Sequence, residues 1–325
     1  MKPLTRAAHL LALALMVAAL GGCGSFAAGR PAPESLSAAD PALAYAKQVS
    51  QTSYTRYLRD LLYCHKGQDR AARTSEYAAG RQHDPARDAI LKQLRAFGLK
   101  AAIEHVTVDG EPADNVVAVK TGTTRPKDVY ILSAHYDSAD TPGADDDASG
   151  TAAVLEAARV LSGRPSQATV YFIAFDAEEN DSAGAVGWVA KHPREKVRGM
   201  VTMDMIAYNP PGATRNRARI YARRPGNAWE VSLAAAMALY GSLPTTRMNR
   251  PDEGDYWAFE QHGWQGCMVI EGADDLNPYY HKAADAWETR SYLDLAFATK
   301  MTRGIVGYFA KVAGFSPLPA AAPPA

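Results

Sequence analysis

The stretch VYILSAHYDSADTPGADDDASG, residues 129–150, carries the pattern from which the fold can be predicted. Its first part, Val129–Ala134, is short, apolar and followed by polar residues, which is typical of a buried strand. A glycine-flanked turn with three consecutive aspartates comes next, and Ser149–Leu161 then carries apolar residues at helical spacing before Gly163 and Pro165. The stretch therefore predicts a strand, a turn and a helix, in that order.

The same alternation of strands and helices extends through the middle of the chain. Further short apolar runs predict buried strands at Ala168–Phe175, Met200–Met203 and Cys267–Ile270. Capping residues and apolar spacing predict further helices over 40–63, 84–98 and 292–312. Because strands that alternate with helices form mainly parallel sheets covered on both faces, we expect an α/β fold.

Histidines and carboxylates follow closely after each predicted strand. They are His135 and Asp137, Glu178 and Glu179, Asp204, and His281. Reactive groups collect beyond the carboxyl ends of parallel strands, so we expect these side chains to converge on one edge of the sheet. Like charges repel in a partly dry site, and a bound divalent metal ion, or a pair of them, would offset that repulsion.

The turn before the predicted helix adds the adjacent carboxylates Asp145, Asp146 and Asp147. Aspartates in this position can cap a helix, and the helix dipole favours their negative charge. Capping accounts for one or two of them, but not for three within a glycine-flanked turn. The turn is therefore a further candidate source of metal ligands.

Five separated motifs resemble, in order, those of the two-zinc aminopeptidase family of bacterial leucyl aminopeptidase type: SAHYDS, PGADDDASG, AFDAEE, MDM and YYHKAADAWE. The family belongs to the zinc exopeptidase superfamily, with glutamate carboxypeptidase and glutaminyl cyclase relatives. The resemblance covers about 129–289 and implies a three-layer α/β/α, phosphorylase/hydrolase-like fold with a mixed, mainly parallel sheet. It implies two Zn²⁺ ions, one bound by His135 and Asp204, one bound by Glu179 and His281, and both bridged by Asp146.

The resemblance also implies roles for three residues that do not bind the metal ions. Glu178 is expected to be the general base, taking a proton from a metal-bridging water whose pKa the zinc ions lower. Asp137 is expected to accept a hydrogen bond from the His135 ring nitrogen that faces away from the metal. Tyr280 is expected to stabilise the oxyanion, with a buried core tyrosine as the alternative. The predicted function is a zinc-dependent aminopeptidase acting on peptides.

Three other functions fit parts of the same pattern. A carboxypeptidase of the superfamily would need basic groups for the substrate carboxylate, and Arg223, Arg224, Arg247 and Arg250 leave this open. A glutaminyl cyclase relative uses one zinc ion and departs from the full set of five ligands that this sequence retains. A non-catalytic binding lipoprotein would normally have lost the base or a ligand, and none of these positions is missing here.

Some acidic residues and histidines have weaker assignments. Asp255 aligns loosely with a family segment that supports the site, although Tyr256 follows it where a histidine is common. Asp285 is expected to orient a loop or cap the last helix rather than to bind metal. The histidines outside the motifs are not expected to act in catalysis: His65, His83, His105, His192 and His262.

The first 22 residues resemble a lipoprotein signal peptide. Lys2 and Arg6 form a positive region before the apolar stretch Ala7–Leu20, which is too short to span a membrane. The following Leu20-Gly21-Gly22-Cys23 resembles a lipobox. We therefore expect export, and a lipid anchor at Cys23 that holds the protein on a membrane facing the periplasm. Secretion after an ordinary signal peptide is the alternative.

The remaining chain divides by composition into three parts. Residues 23–39 predict a flexible tether, 40–315 a single catalytic domain, and 316–325 a disordered Pro/Ala tail.

The balance of 35 basic and 35 acidic residues excludes a broadly basic surface that would bind nucleic acid. The expected partners are thus a peptide substrate and a membrane, with no obligate protein partner. Cys64 and Cys267 could pair in an exported protein, but their separation establishes no disulfide.

Overall fold

The computed structural model describes residues 40–62, 85–139, 141–223, 226–250 and 254–318. These residues contain eight strands: β1 (Lys100–Val108), β2 (Glu111–Lys120), β3 (Arg125–His135), β4 (Ala168–Phe175), β5 (Lys196–Met203), β6 (Ala218–Ala222), β7 (Thr245–Asn249) and β8 (Gly266–Glu271). They form one sheet in the order β1-β2-β4-β3-β5-β8-β6-β7. The predicted bounds of β4 are confirmed, and the other three predicted strands lie within longer ones.

The helices of the described residues are α1 (Pro41–Lys47), α2 (Gln51–Arg56), α3 (Pro85–Ala96), α4 (Ala148–Ser162), α5 (Ala183–Lys191), α6 (Ala228–Gly241), α7 (Tyr256–Gln261) and α8 (Leu295–Val312). A π-helical turn, Tyr57–Leu62, continues α2, and a 3₁₀ turn spans Asp274–Leu276. Within these ranges, no helix is long and apolar enough to cross a membrane.

The centre of the sheet is parallel. Strands β4, β3, β5 and β8 lie side by side in the same direction, and β6 and β7 are also parallel to each other. The antiparallel pairs are β1 with β2, β2 with β4, and β6 with β8. Four of the seven strand pairs are thus parallel, which confirms the expected mixed, mainly parallel sheet.

Helices cover both faces of the sheet. One face packs against α1–α4, α6 and α8, in a core that includes Tyr54, Leu155 and Phe309. The other face packs against α5 and α7 through Trp188 and Phe259. Burial on both faces explains why the central strands are nearly continuous apolar runs instead of alternating ones. The expected three-layer architecture is confirmed.

The position of β3 locates the crevice in this fold. The chain leaves β3 through α4 to reach β4 on one side, and it later returns through α5 to β5 on the other side of β3. Helices α4 and α5 lie on opposite faces, so they separate at the carboxyl end of β3. Ligands of open α/β sheets bind where the strand order reverses in this way.

Two predicted helices differ from the observed ones at capping residues. The helix predicted over 40–63 is interrupted after Lys47, and α2 begins anew at a cap where the Ser50 hydroxyl accepts a hydrogen bond from Ser53 N at 3.3 Å. The last helix begins at Leu295 instead of 292, because the Asp294 carboxylate caps it through Phe297 N at 2.9 Å. Serine and aspartate favour such caps over helix interiors.

Several sequence-based expectations lie outside the described residues. These are the signal peptide, Cys23, the tether, Cys64, His65, His83 and the tail from 319 onward. Cys267 is a free, buried cysteine in β8. Ser316 and Pro317 are described, and they bond to the body of the fold through Ser316 N to Pro165 O at 3.0 Å and Arg164 Nη2 to Pro317 O at 3.1 Å.

Candidate metal centre

The candidate ligands lie together beyond the carboxyl ends of the parallel strands. His135 is the last residue of β3, and Asp204 directly follows β5. Glu179 lies in the turn after β4, Asp146 in the turn before α4, and His281 in the long loop between β8 and α8. Five separate segments thus contribute one residue each to the crevice that the topology creates.

Two groups of possible metal donors share Asp146. The first group is His135, Asp146 and Asp204, and the second is Asp146, Glu179 and His281; within each, the donor atoms lie within 4.8 Å of one another. His135 Nε2 is 3.3 Å from Asp146 Oδ1 and 3.7 Å from Asp204 Oδ1. His281 Nε2 is 3.2 Å from Asp146 Oδ2 and 3.0 Å from Glu179 Oε2. The two oxygens of Asp146 therefore face different groups.

The bonding of these atoms fits a bound metal. Asp146 Oδ2 is buried, and it makes no hydrogen bond to any of the described residues. Such orphaned atoms are rare in native proteins unless an ion or water satisfies them. Imidazole nitrogen and carboxylate oxygen are ligands that zinc accepts, so the residues present fit zinc.

The electrostatics of the cluster also favour a cation. Burial would raise the pKa of Asp146, but contacts with His135 and His281 hold it below its ordinary value. The contacts of His281 with Asp146 and Glu179 raise the pKa of its imidazole to about 10. Burial raises the pKa values of Glu179 and Asp204. Without a metal, the cluster retains protons that balance its carboxylates, and a metal ion would displace them.

Glu178 lies beside the donor groups without belonging to either. Its Oε2 is 3.8 Å from His135 Nε2, and it lines the cleft. Burial raises the pKa of this carboxyl well above its ordinary value. The side chain is therefore placed to hold a proton next to the centre.

Asp137 joins β3 to the turn that carries Glu178 and Glu179. Its Oδ1 is 3.3 Å from His135 Nδ1, which is the side of the ring where the sequence predicted it. Its two oxygens also accept hydrogen bonds from Glu178 N at 3.1 Å and Glu179 N at 3.2 Å. Asp137 thus fixes the backbone of the predicted base and of a predicted ligand, which the sequence did not indicate.

The two flanking aspartates of the triplet, Asp145 and Asp147, accept hydrogen bonds from backbone N–H groups instead of facing the donor groups. Asp145 accepts hydrogen bonds from Ala207 N at 2.8 Å and Tyr208 N at 3.1 Å. Asp147 caps α4 through Gly150 N at 2.8 Å, so the capping interpretation is correct for this residue. Its carboxylate also accepts from His135 N and Met205 N, both at 3.2 Å. The peptide bond between Asp146 and Asp147 is cis.

Two further acids near the centre were given minor roles by the sequence. Asp255 is 1% exposed, and neither of its carboxylate oxygens makes a hydrogen bond within the described part of the chain. Burial raises the pKa of this carboxyl well above its ordinary value. Asp285 is fully buried and accepts hydrogen bonds from the backbone of the aspartate triplet. Of the two roles expected for Asp285, capping of the last helix is wrong, because Asp294 provides that cap.

The centre opens into a cleft of about 570 Å³. Its lining includes the apolar side chains of Met205, Trp257, Met268 and Ile270. Tyr280 also lines the cleft and is 45% exposed, so the alternative of a buried core tyrosine is wrong. Its ring stacks on that of His281 with centroids 3.8 Å apart. Partial burial of the phenol and the nearby carboxylates raise the pKa of Tyr280, so it keeps its proton at neutral pH and can donate a hydrogen bond.

The remaining described histidines lie outside the donor groups. His105 contacts Asp114 at 2.6 Å, and His192 contacts Glu104 at 3.0 Å. His262 lies 3.3 Å from the carbonyl oxygen of Pro193. Each thus has a local partner of its own, as expected for histidines that are not ligands.

Comparison with solved structures supports the fold. The structure superimposes with a TM-score of 0.67 on BSAP, a zinc aminopeptidase from Bacillus subtilis, at 14% identity, covering 85% of this chain and 96% of that one. It superimposes with a TM-score of 0.64 on a glutaminyl cyclase from Bacteroides thetaiotaomicron, at 17% identity, covering 80% of this chain and 97% of that one. At such low identities the likeness concerns the fold alone.

Comparison of sequences supports the family. The chain is 30% identical over 203 residues to aminopeptidase YwaD from Bacillus subtilis (strain 168), a match that covers 58% of this chain and 43% of YwaD. The matched part thus spans less than half of that relative. The sequence profile of peptidase family M28 matches residues 115–306, a range that contains all five candidate ligands and Glu178. The chain belongs to peptidase family M28.

Proposed function

We propose that the protein is a zinc-dependent exopeptidase with a two-metal centre, and that it acts as an aminopeptidase. The observation that carries this proposal is the pair of donor groups that share Asp146 and lie next to Glu178 in a cleft. His135 and Asp204 would hold one ion, and Glu179 and His281 the other. Zinc bound there would supply a nucleophilic water and polarise the scissile carbonyl.

The chain's own residues would guide the protons of the reaction. Glu178 would take a proton from the attacking water and pass it to the leaving amine, which suits a carboxyl whose pKa burial raises. Tyr280 would donate its phenolic hydrogen to the oxyanion that forms from the substrate carbonyl. Asp137 would keep Glu178 in position through the hydrogen bond from Glu178 N at 3.1 Å.

The charge of the cleft favours a substrate with a free amino group. Seven acidic residues line it: Asp146, Glu178, Glu179, Asp181, Asp204, Asp274 and Asp275. Arg250 is the one arginine or lysine among its described lining residues, and it pairs with Asp274 at 2.9 Å. A carboxypeptidase would need a cation available for the substrate carboxylate, so the aminopeptidase assignment is preferred. Retention of both donor groups disfavours a one-zinc cyclase.

Hydrolysis of three matched substrates would test this function. They are an amino-acid amide with a free amino group, the same amide with its amino group acetylated, and an N-blocked dipeptide with a free carboxylate. We expect cleavage of the first alone, loss of activity with EDTA and recovery with zinc. Cleavage of the N-blocked dipeptide in preference to the free amide would contradict the aminopeptidase assignment, and activity unaffected by EDTA would contradict the metal centre.

We also propose that the protein is exported and anchored by a lipid at Cys23. The support is the sequence of the first 23 residues, with its basic start, apolar stretch and lipobox-like ending. Labelling with a radioactive fatty acid should mark the full-length protein in a bacterial host but not its Cys23→Ser variant. Equal labelling of the two proteins would rule out this anchor.

A further inference from the structure

Asp285 connects the loop that carries His281 to the turn that carries Asp146. Asp145 N donates to Asp285 Oδ1 at 2.8 Å, and Asp146 N donates to Asp285 Oδ2 at 3.1 Å. The backbone oxygen of Asp285 accepts a third hydrogen bond, from Ala144 N at 3.2 Å. One residue therefore holds three consecutive N–H groups of the aspartate turn.

These bonds fix the one side chain that both donor groups share. The N–H groups of Asp145 and Asp146 are buried, and buried backbone donors need partners. Because each carboxylate oxygen of Asp285 accepts one of them, the bonds restrict both the position and the rotation of the backbone at Asp146. Its Oδ1 then faces His135, and its Oδ2 faces His281.

Because Asp285 belongs to the loop that carries His281, the same bonds also attach this loop to the aspartate turn. The side chain of His281 is 39% exposed, whereas Asp285, four residues later, is fully buried. The far end of the loop is attached independently, through Asp294 N to Ala207 O at 2.7 Å and Asn209 Nδ2 to Asp294 Oδ2 at 2.8 Å. Asp285 thus links the loop that carries the exposed ligand to the turn that carries the shared one.

We propose that Asp285 is a positioning residue that couples the two donor groups, so that the site of Glu179 and His281 depends on it. This inference rests on the proposed two-metal centre. Without the Asp285 carboxylate, the aspartate turn loses the two hydrogen bonds that tie Asp145 N and Asp146 N to the His281 loop. His135 and Asp204, in contrast, keep their places at the ends of β3 and β5. Groups that orient metal ligands typically contribute about 10- to 100-fold to metal affinity.

Cobalt(II) titrations of the metal-free protein, followed by visible absorption and calorimetry, would test the coupling. We expect two binding events in the wild type and about 10- to 100-fold weaker binding at one of them in Asp285→Ala. Asp285→Asn keeps the shape of the side chain but only one good acceptor. Its cobalt affinity at that site should therefore lie between those of the wild type and Asp285→Ala. His281→Ala and Asp204→Ala each remove a donor from one group only, so their spectra show which cobalt absorption belongs to which group. We expect the site weakened in Asp285→Ala to have the spectrum of the His281 group.

Asp294→Ala is the matched control, since it removes another aspartate that attaches the same loop. We expect it to lower the melting temperature and to leave both cobalt affinities within about twofold of the wild type. Unchanged affinities in Asp285→Ala, or equal losses in Asp294→Ala, would overturn the inference while leaving the two-metal centre intact. A wild-type protein that binds fewer than two cobalt ions would instead overturn the two-metal centre, and the inference with it.

Discussion

At the scale of single residues, three adjacent aspartates of identical chemistry serve two different purposes. Asp146 faces both donor groups, whereas Asp145 and Asp147 accept hydrogen bonds from the backbone of neighbouring segments. The single carboxylate of Asp147 accepts hydrogen bonds from β3, from α4 and from the loop after β5. The sequence predicted Asp146 because the middle carboxylate matched a family motif. Capping of α4 by Asp147 was also foreseen, but the other bonds of Asp145 and Asp147 were not, because they depend on segments that are distant along the chain.

Glu178→Gln separates proton transfer from metal binding. The amide keeps the shape of the side chain but cannot accept a proton, so we expect kcat to fall by about 10²- to 10⁴-fold with bound zinc unchanged. Kinetics on an amino-acid amide and metal analysis of the same sample would measure this. Asp181→Asn is the control, because Asp181 lines the same cleft but belongs to neither donor group. Near-normal turnover in Glu178→Gln would refute the assignment of the base.

Tyr280→Phe tests the donor to the oxyanion. We expect kcat to fall by about 10²-fold with little change in KM, since the hydrogen bond would form only as the carbonyl oxygen gains charge. Tyr279→Phe is the matched control, because the neighbouring Tyr279 ring packs on Tyr292, at a centroid distance of 4.2 Å. An equal loss in both variants, or none in Tyr280→Phe, would show that the phenol of Tyr280 has no specific role.

At the scale of elements, prediction succeeded where the local pattern was strong. Strands β3, β4, β5 and β8 are apolar runs buried on both faces, and α4 has apolar spacing with clear stop signals. The hairpin of β1 and β2 was missed, although Asp109-Gly110 between them is a typical two-residue hairpin turn and both residues have positive φ. Strand β7 has four exposed residues of five, so no burial pattern marked it.

The close approach of α4 to β5 depends on Gly150. A Cβ added there would lie 2.2 Å from Met203 O and 2.5 Å from Asp147 Oδ1. We expect Gly150→Ala to lower the free energy of unfolding by about 1–3 kcal/mol, because the overpacked turn must shift. Urea unfolding with zinc present would measure the change, and the displaced turn should also reduce activity.

The other end of the same helix offers the control for this substitution. Gly163 has φ −74° and no atom within 4 Å of an added Cβ. Gly163→Ala should therefore be neutral or stabilise the protein by up to about 1 kcal/mol. If Gly150→Ala and Gly163→Ala had the same stability, crowding around an added Cβ could not explain why position 150 requires glycine.

At the scale of the whole molecule, a formal net charge of zero hides an uneven distribution. Acids that follow β3, β4 and β5, together with acids of the long loop before α8, collect at one edge of the sheet. Burial there raises the pKa of Glu178, Glu179 and Asp204. The sequence predicted this convergence from the strand ends. It could not predict the burial of Asp255 and Asp285, because burial is decided by how distant loops pack.

This distribution predicts that metal-free protein loses stability as pH rises. Contacts with Asp146 and Glu179 raise the pKa of His281 from 6.5 to about 10, so the folded state binds its proton more tightly than the unfolded state. The stabilisation is complete below about pH 6.5 and is lost as pH approaches 10. The raised pKa values of Glu178, Glu179 and Asp204 act in the same direction from lower pH. We therefore expect the melting temperature in EDTA to fall steadily between pH 6 and pH 9.

Zinc should remove this dependence, because bound ligands are already deprotonated and their protons no longer contribute to stability. The difference in melting temperature between zinc-loaded and metal-free protein should thus widen with pH, as calorimetric scans at pH 6, 7, 8 and 9 would measure. His281→Ala should show a shallower fall in EDTA than the wild type, because it lacks the group that titrates in this window. A metal-free melting temperature that stayed constant or rose over the range would mean that the cluster does not retain its protons in the folded protein.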